Sequence, residues 1–344
     1  MKMNFTVGMG RNLQAHEVAD HARVAEECGF SAMTWVDQPN LSRDVTASLT
    51  IAAVSTRRIR IGQGVTDPFT YHPSVTANAT ATLDELSGGR AFLGIGAGGQ
   101  FGKVMKPRPT REIKEAIQFI RGYMAGEEVE WKGAKMHSEW NRRTVPIYLA
   151  VDGPKLCRLA GQIADGAIFL GLHPEMAKWR VELIHQGAEE AGRDPSEIDI
   201  WARTMIYVSD TKEEARREVT SYPAMYIKMH RFFNRDVPEI QDLRRRLERA
   251  EPGMVEELMS DSARAAEAYD PYYHEHIDAP HAKLVTQRMI DFYHLTGPAD
   301  ETIQKIEELG KIGVNTISTV LFTIIDKKGM MRRVSEEIMP AFRD

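Results

Sequence analysis

Cysteine is scarce. Cys28 and Cys157 are the only two, too few and too far apart for a disulfide framework or a Cys-based metal site, and both read as small buried residues. Long apolar runs are also missing: Val314 to Ile325, the longest comparable stretch, is broken by Asn315, Thr316, Ser318, Thr319 and Thr323, short of the roughly 18 residues that span a bilayer. The start, Met1 to Gly8, has neither the apolar core nor the small-residue cleavage site of a secretory signal, so a cytoplasmic protein is expected, with no membrane partner. Positive charge is not in excess. With 44 Lys plus Arg against 49 Asp plus Glu, the net charge of −5 supplies no field to gather nucleic acid.

What is present is a long chain, 344 residues with 42% hydrophobic, able to bury a large core. Short β-branched or apolar runs alternate with longer helical patterns, as in an α/β protein with a parallel sheet. The strands are expected at Phe5–Gly8, Ala32–Val36, Ile59–Gly64, Ala91–Gly94, Ile147–Val151, Ala167–Leu170, Ile198–Val208 and Gly313–Leu321. Eight such units suit a closed (β/α)8 TIM barrel, with an open doubly wound sheet as the rival. Two stretches exceed a minimal barrel: Glu127–Thr144, and Tyr222–Leu295 with helical patterns at Glu239–Ala250 and Met254–Tyr269. Both read as insertions within a single domain covering 1–344, and the mainly helical one at 222–295 is expected to wall the substrate pocket.

Gly94-Ile95-Gly96-Ala97-Gly98-Gly99 fits the spacing Gly-x-Gly-x-x-Gly, but it follows the fourth strand and leads into a loop, so it is not a Rossmann fingerprint. Either it is a turn, or it lets backbone N–H groups approach a phosphate, hydroxyl or flat ring. Downstream, Lys103, Lys106, Arg108 and Arg111 form a basic stretch that would suit an anionic cofactor tail or simply face water. Gly64-Val65, at the end of the third strand, could hold a bulge.

In sequence, His72-Pro73, an Ala/Thr-rich helix, Leu83-Asp84-Glu85-Leu86-Ser87-Gly88-Gly89-Arg90 and Phe92-Leu93-Gly94-Ile95-Gly96-Ala97-Gly98 resemble the bacterial-luciferase-like superfamily. The resemblance extends to Ala25-Glu26-Glu27-Cys28-Gly29-Phe30, Asp37, Asp152-Gly153-Pro154-Lys155 and Ala164-Asp165-Gly166. It covers Phe5 to about Val208 and resumes near Gly297–Val320. It implies a (β/α)8 barrel holding FMN or the 5-deazaflavin coenzyme F420 at its C-terminal face. The pattern looks closer to the deazaflavin branch, with its methylenetetrahydromethanopterin reductases and glucose-6-phosphate dehydrogenases. A non-prolyl cis peptide is implied at Gly64–Val65, backing the ring. Asp37 matches the aspartate near the ring system, Asp67 the loop after the bulge, and Ala97, Gly98 and Gly99 the fourth loop. Ala150, Val151, Gly153 and Pro154 match the loop toward the cofactor's ribityl and phosphate portion, where a helix N-terminus favours negative charge.

In the sugar-phosphate dehydrogenases of this branch a histidine follows the aspartate and a glutamate follows the fourth-strand glycines. Here those positions hold Gln38 and Gly99, neither of which donates or takes a proton near pH 7. Asp37 and Gln38 are therefore the candidate catalytic pair, with the proton source open. His173, Tyr272 and Tyr273 are candidate substrate contacts. His274-Glu275-His276 lacks a partnering ligand set, so no metal is expected, and Arg244-Arg245-Arg246 reads as a solvated face. The expected function is an F420-dependent oxidoreductase, as a homodimer, acting on a small molecule. An FMN-dependent monooxygenase and a non-catalytic flavin-binding protein are the alternatives.

Overall fold

Eight parallel strands close on themselves: β1 (Asn4–Met9), β2 (Ala32–Trp35), β3 (Arg60–Thr66), β4 (Ala91–Ile95), β5 (Ile147–Val151), β6 (Gly166–Leu170), β7 (Asp199–Thr204) and β8 (Thr316–Val320). The computed structural model describes residues 1–10, 13–98, 107–225, 231–273, 276–321 and 324–343. Each strand pairs with its sequence neighbours, and β8 returns to β1 with Asn4 opposite Thr316, so the open-sheet rival is excluded. Helices α1 (Val18–Glu27), α2 (Val45–Ser55), α3 (Pro73–Ser87), α4 (Thr110–Ala125), α5 (Pro154–Ile163) and α6 (Pro174–Glu190) each follow their strand. Three start on proline at their first turn, where its missing N–H costs nothing.

Strand alternation sorts the side chains. Met33, Ile61, Leu93, Leu149 and Phe169 face outward and are buried against the helices. Inside, Ala32, Phe92, Tyr148, Ile168 and Trp201 fill the barrel towards the N-terminal ends of the strands. Below them Asp199 Oδ2 accepts from Tyr148 Oη at 2.9 Å and Trp201 Nε1 at 2.7 Å, while Arg60 donates to Tyr148 Oη. This end is plugged by packed aromatics whose polar tips are satisfied.

The seventh strand is shorter than the sequence suggests. After Thr204 the chain leaves the barrel: Met205 N donates to His294 Nδ1 and Thr204 Oγ1 to the Tyr293 carbonyl. Ile206–Val208 then pairs in parallel with Leu295–Gly297, the return of the long insertion. Burial pushes the His294 pKa down to about 3, which keeps the ring neutral and Nδ1 an acceptor.

After α7 (Lys212–Val219), the insertion carries α8 (Pro238–Ala250), α9 (Met254–Met259), α10 (Asp261–Ala268) and α11 (Gln287–Tyr293). The single helix expected over Met254–Tyr269 is broken at Ser260. The Arg244–Arg246 run is not simply a solvated face: Arg246 bridges to Glu182 of α6 at 2.8 Å and Arg244 donates to the Phe233 carbonyl, leaving Arg245 exposed. α12 (Ala299–Ile312) leads into β8, and α13 (Lys327–Arg333) follows it. The shorter insertion holds an antiparallel hairpin, Val129–Trp131 with Ala134–Met136, turning at Lys132 and Gly133 with positive φ. Both cysteines are buried and free. Among the described residues no helix is long and apolar enough to cross a membrane.

Candidate active site

The C-terminal end of the barrel is open. Val36, Val65, Ala97, Ala150 and Leu170 are only half-buried there, whereas the interior residues at the plugged end are at most 3% exposed. The site is floored by β3. Its register with β4 slips between Gln63 and Thr66, and the Gly64–Val65 peptide bond is cis. A Cβ on Gly94 would lie 2.2 Å from the Gln63 carbonyl oxygen, and one on Gly96 would lie 3.2 Å from Val65 Cγ2. Glycine at these positions lets β4 press against the bulge and leaves room for the Val65 side chain beside it. A mouth rimmed by valine, alanine and glycine fits a flat ring.

Two carboxylates stand beside this floor and do different things. Asp37, just past β2, is 7% exposed and accepts from Thr66 Oγ1 at 2.6 Å. Burial raises its pKa above the usual carboxylate range; the Thr66 hydrogen bond opposes that, and the negative charges of Asp67 and Asp44 reinforce it. Asp67 instead organises its own loop, accepting from the Phe69 and Thr70 backbone N–H groups and from Thr70 Oγ1. Gly98, with φ +77°, lies against Asp67. Gln38 is half-buried, and its backbone is tied to Ser42. Gly99, Lys103 and Lys106 lie outside the described residues. The rest of the expected basic rim is locally offset: Arg111 pairs with Glu115 at 3.1 Å, and Arg108 sits 3.9 Å from Glu112.

At the end of β5, Ala150 faces the mouth. Val151 is buried in the outer core, so only its backbone can serve the site. Gly153 caps α5 and Pro154 opens it. Arg180 of α6 holds this corner. Fully buried, it contacts Asp152 Oδ1 at 3.1 Å, donates to the Leu170 carbonyl and so ties the ends of β5 and β6 together. A second cation missed from sequence is Arg203 on β7, 9% exposed, which donates to the Gly64 carbonyl and to Thr34 Oγ1. Neither has a sequence signal, because a lone arginine, among charged neighbours as at Arg180 or in an apolar run as at Arg203, reads equally well as surface.

His173 caps α6 with Nδ1 accepting from the Glu175 N–H, and its Nε2 lies 3.3 Å from Glu251 Oε1 in the insertion. Both ring nitrogens are therefore engaged within the protein. Burial lowers its pKa against the opposing pull of Glu251. Tyr272 and Tyr273 are 67% and 50% exposed on a 3-10 turn of the insertion. His274 and Glu275 lie outside the described residues, and among the described residues no cluster of His, Cys, Asp and Glu could hold a metal ion.

Comparison with known proteins fits this geometry. The sequence profile of the luciferase-like monooxygenase family matches residues 3–316. The chain is 32% identical over 313 residues to the 5,10-methylenetetrahydromethanopterin reductase of Methanolobus tindarius, covering 88% of this chain and 89% of the relative. It is 29% identical to the enzyme of that name from Archaeoglobus fulgidus, over 99% of this chain and all of the relative. Among solved structures, the coenzyme F420-dependent tetrahydromethanopterin reductase from Methanopyrus kandleri superposes with a TM-score of 0.81 at 27% identity, over the full length of both chains.

Proposed function

Because the chain belongs to the luciferase-like monooxygenase family, and its full-length relatives there include F420-dependent reductases, we propose that it is an F420-dependent oxidoreductase. It moves a hydride between the deazaflavin and a small organic substrate. The observation that carries this reading is the glycine-rich bulge at Gly64–Val65 under an open barrel mouth, in a fold shared end to end with an F420-dependent reductase. In this reading Gly64 and Val65 back the ring, Asp37, Asp67, Ala97, Gly98 and Gly99 hold its edge, and Ala150, Val151, Gly153 and Pro154 receive the tail at the start of α5. Hydride transfer needs chiefly position, which this rigid floor supplies.

The proton is the less obvious part. Gln38 cannot provide one, and Asp37, whose burial favours its neutral form, is an acid tied to the end of β3 through Thr66. The substrate is of the one-carbon pterin class of the full-length relatives; Gln38 and Gly99 disfavour a sugar phosphate. The whole chain acts as one barrel domain, and the insertion at 222–295, with Tyr272 and Tyr273, walls the substrate side.

A homodimer forms through α2 and α3. α2 carries no charged residue and α3 none before Asp84, yet Thr46, Ala47 and Val54 of α2 and Val75, Asn78, Thr82 and Leu86 of α3 are exposed. In a chain that is 27% charged, such a face is suited to a second copy. A cytoplasmic location agrees with two free thiols. The test is anaerobic turnover: reduced F420 with a methylene-pterin, followed by the return of the oxidised deazaflavin band, and oxidised F420 with sugar-phosphate and alcohol substrates, followed by the loss of that band. Oxidation with the pterin supports the reading. Oxygen consumption with reduced FMN instead marks a monooxygenase, and tight binding without turnover marks a carrier.

A further inference from the structure

Arg203 does something that packing alone does not require. The inside of the barrel at mid-height is packed so closely around it that Gly8 and Gly64 have no room for side chains of their own. A Cβ on Gly64 would lie 2.5 Å from Thr34 Cβ and 2.8 Å from Arg203 Nη2, and one on Gly8 would lie 2.7 Å from Val320 Cγ1 and 3.1 Å from Thr34 Oγ1. Into that space β7 sends a guanidinium whose two terminal nitrogens take separate acceptors: Nη1 the carbonyl of Gly64, Nη2 the hydroxyl of Thr34 at 2.8 Å. One side chain thus links three strands, β2, β3 and β7, and its contact on β3 is the residue that forms the floor.

Given the F420-dependent reading above, we propose that Arg203 is the positioning residue of the cofactor floor, fixing Gly64–Val65 through the Gly64 carbonyl and placing a positive charge beneath the ring. The fork of a guanidinium meets two acceptors at once, which a single ammonium cannot do with the same geometry. The charge has a chemical consequence. A ring that accepts a hydride, with its electron pair, gains one unit of negative charge before any proton follows, so a buried cation below it favours the reduced form over the oxidised one. Arg203 acts on binding through position and on the redox balance through charge.

The test separates these roles from mere stability. Full-length protein and the variants Arg203→Met, Arg203→Lys and Trp201→Phe are titrated with oxidised and with reduced F420, and each is melted. Arg203→Met weakens oxidised F420 about tenfold through the lost hydrogen bonds. It weakens reduced F420 by about a further tenfold through the lost charge. Arg203→Lys restores the wild-type ratio of the two affinities without restoring the affinities themselves. Trp201→Phe breaks the bond to Asp199 at the plugged end, lowering Tm and moving neither affinity. Unchanged affinities, or an unchanged ratio, in Arg203→Met overturn the proposal. If Arg203→Met does not fold, Arg203→Lys decides: weaker binding at the wild-type ratio supports it, and wild-type binding overturns it. Wild-type protein that takes up no F420 overturns the cofactor reading and this proposal together.

Discussion

Replacing Gly64 by alanine puts one methyl group where the barrel has no room for it. The new Cβ would stand 2.5 Å from Thr34 Cβ and 2.8 Å from both Thr34 Oγ1 and Arg203 Nη2. None of these is the free end of an exposed chain, since Thr34 is 1% and Arg203 9% exposed, so β2 or β3 must shift. Overpacking of this kind costs about 1–3 kcal/mol. Across the 344 residues, an unfolding entropy of roughly 0.7 kcal/mol/K converts a loss of about 2 kcal/mol into a fall in Tm of only about 3 °C. Binding suffers more, because the displaced atoms are the floor itself: a loss of about 1.5–3 kcal/mol of charged hydrogen bonding at the Gly64 carbonyl weakens F420 about ten- to hundredfold. The assay is paired titration and melting of Gly64→Ala beside Gly192→Ala. Gly192 has φ +69° and no atom within 4 Å of an added methyl, so alanine there costs about 1 kcal/mol by backbone conformation alone and leaves binding untouched. Gly64→Ala with wild-type affinity would refute the reasoning, as would equal binding losses in both variants.

Other consequences follow from the same site. Asp37 has its folded pKa raised by burial, so wild-type stability falls as pH rises from the ordinary carboxylate range through that higher value; Asp37→Asn removes this slope and melts higher at neutral pH, checked by thermal melts at several pH values. Arg180→Met strands the Leu170 and Asp152 acceptors; with Asp152 partly reached by water, the expected loss is about 2–4 kcal/mol by denaturant titration, together with weaker F420 binding through the β5 corner. Val54→Glu with Thr82→Glu puts like charges on the α2 and α3 face of both copies and yields a monomer by sedimentation, with F420 affinity retained.

The sequence carried the barrel because short apolar runs and longer helical stretches bounded by turn residues are local signals; α2, β5 and the proline starts of α3, α5 and α6 can be read residue by residue. It overran at β7 because nothing in Thr204-Met205-Ile206 marks a turn. The strand ends there because Tyr293 and His294, 89 residues on, take its hydrogen bonds. The helix break at Ser260 has no glycine or proline to announce it. In the site, Asp37 and the Gly64–Val65 bulge were accessible through a family pattern, and the local role of Asp67 through Asp67-Pro68-Phe69-Thr70, a turn-forming run. Arg180 and Arg203 were not accessible. Each is buried by contacts from distant segments, Arg203 with Gly64 139 residues away, and a charged residue gives no sign in sequence of such a partner. For Arg108 and Arg111, composition showed the charges but not the geometry that sets Glu112 and Glu115 beside them.

We propose the open end of this barrel as a deazaflavin site. Equilibrium titration of the purified full-length protein with oxidised F420 and, separately, with FMN tests it most directly, with Gly64→Ala as the site-specific control. Micromolar or tighter binding of F420, at least about tenfold preferred over FMN and weakened in the variant, is the predicted result. Preference for FMN, or F420 binding that ignores the loss of Gly64, would contradict it.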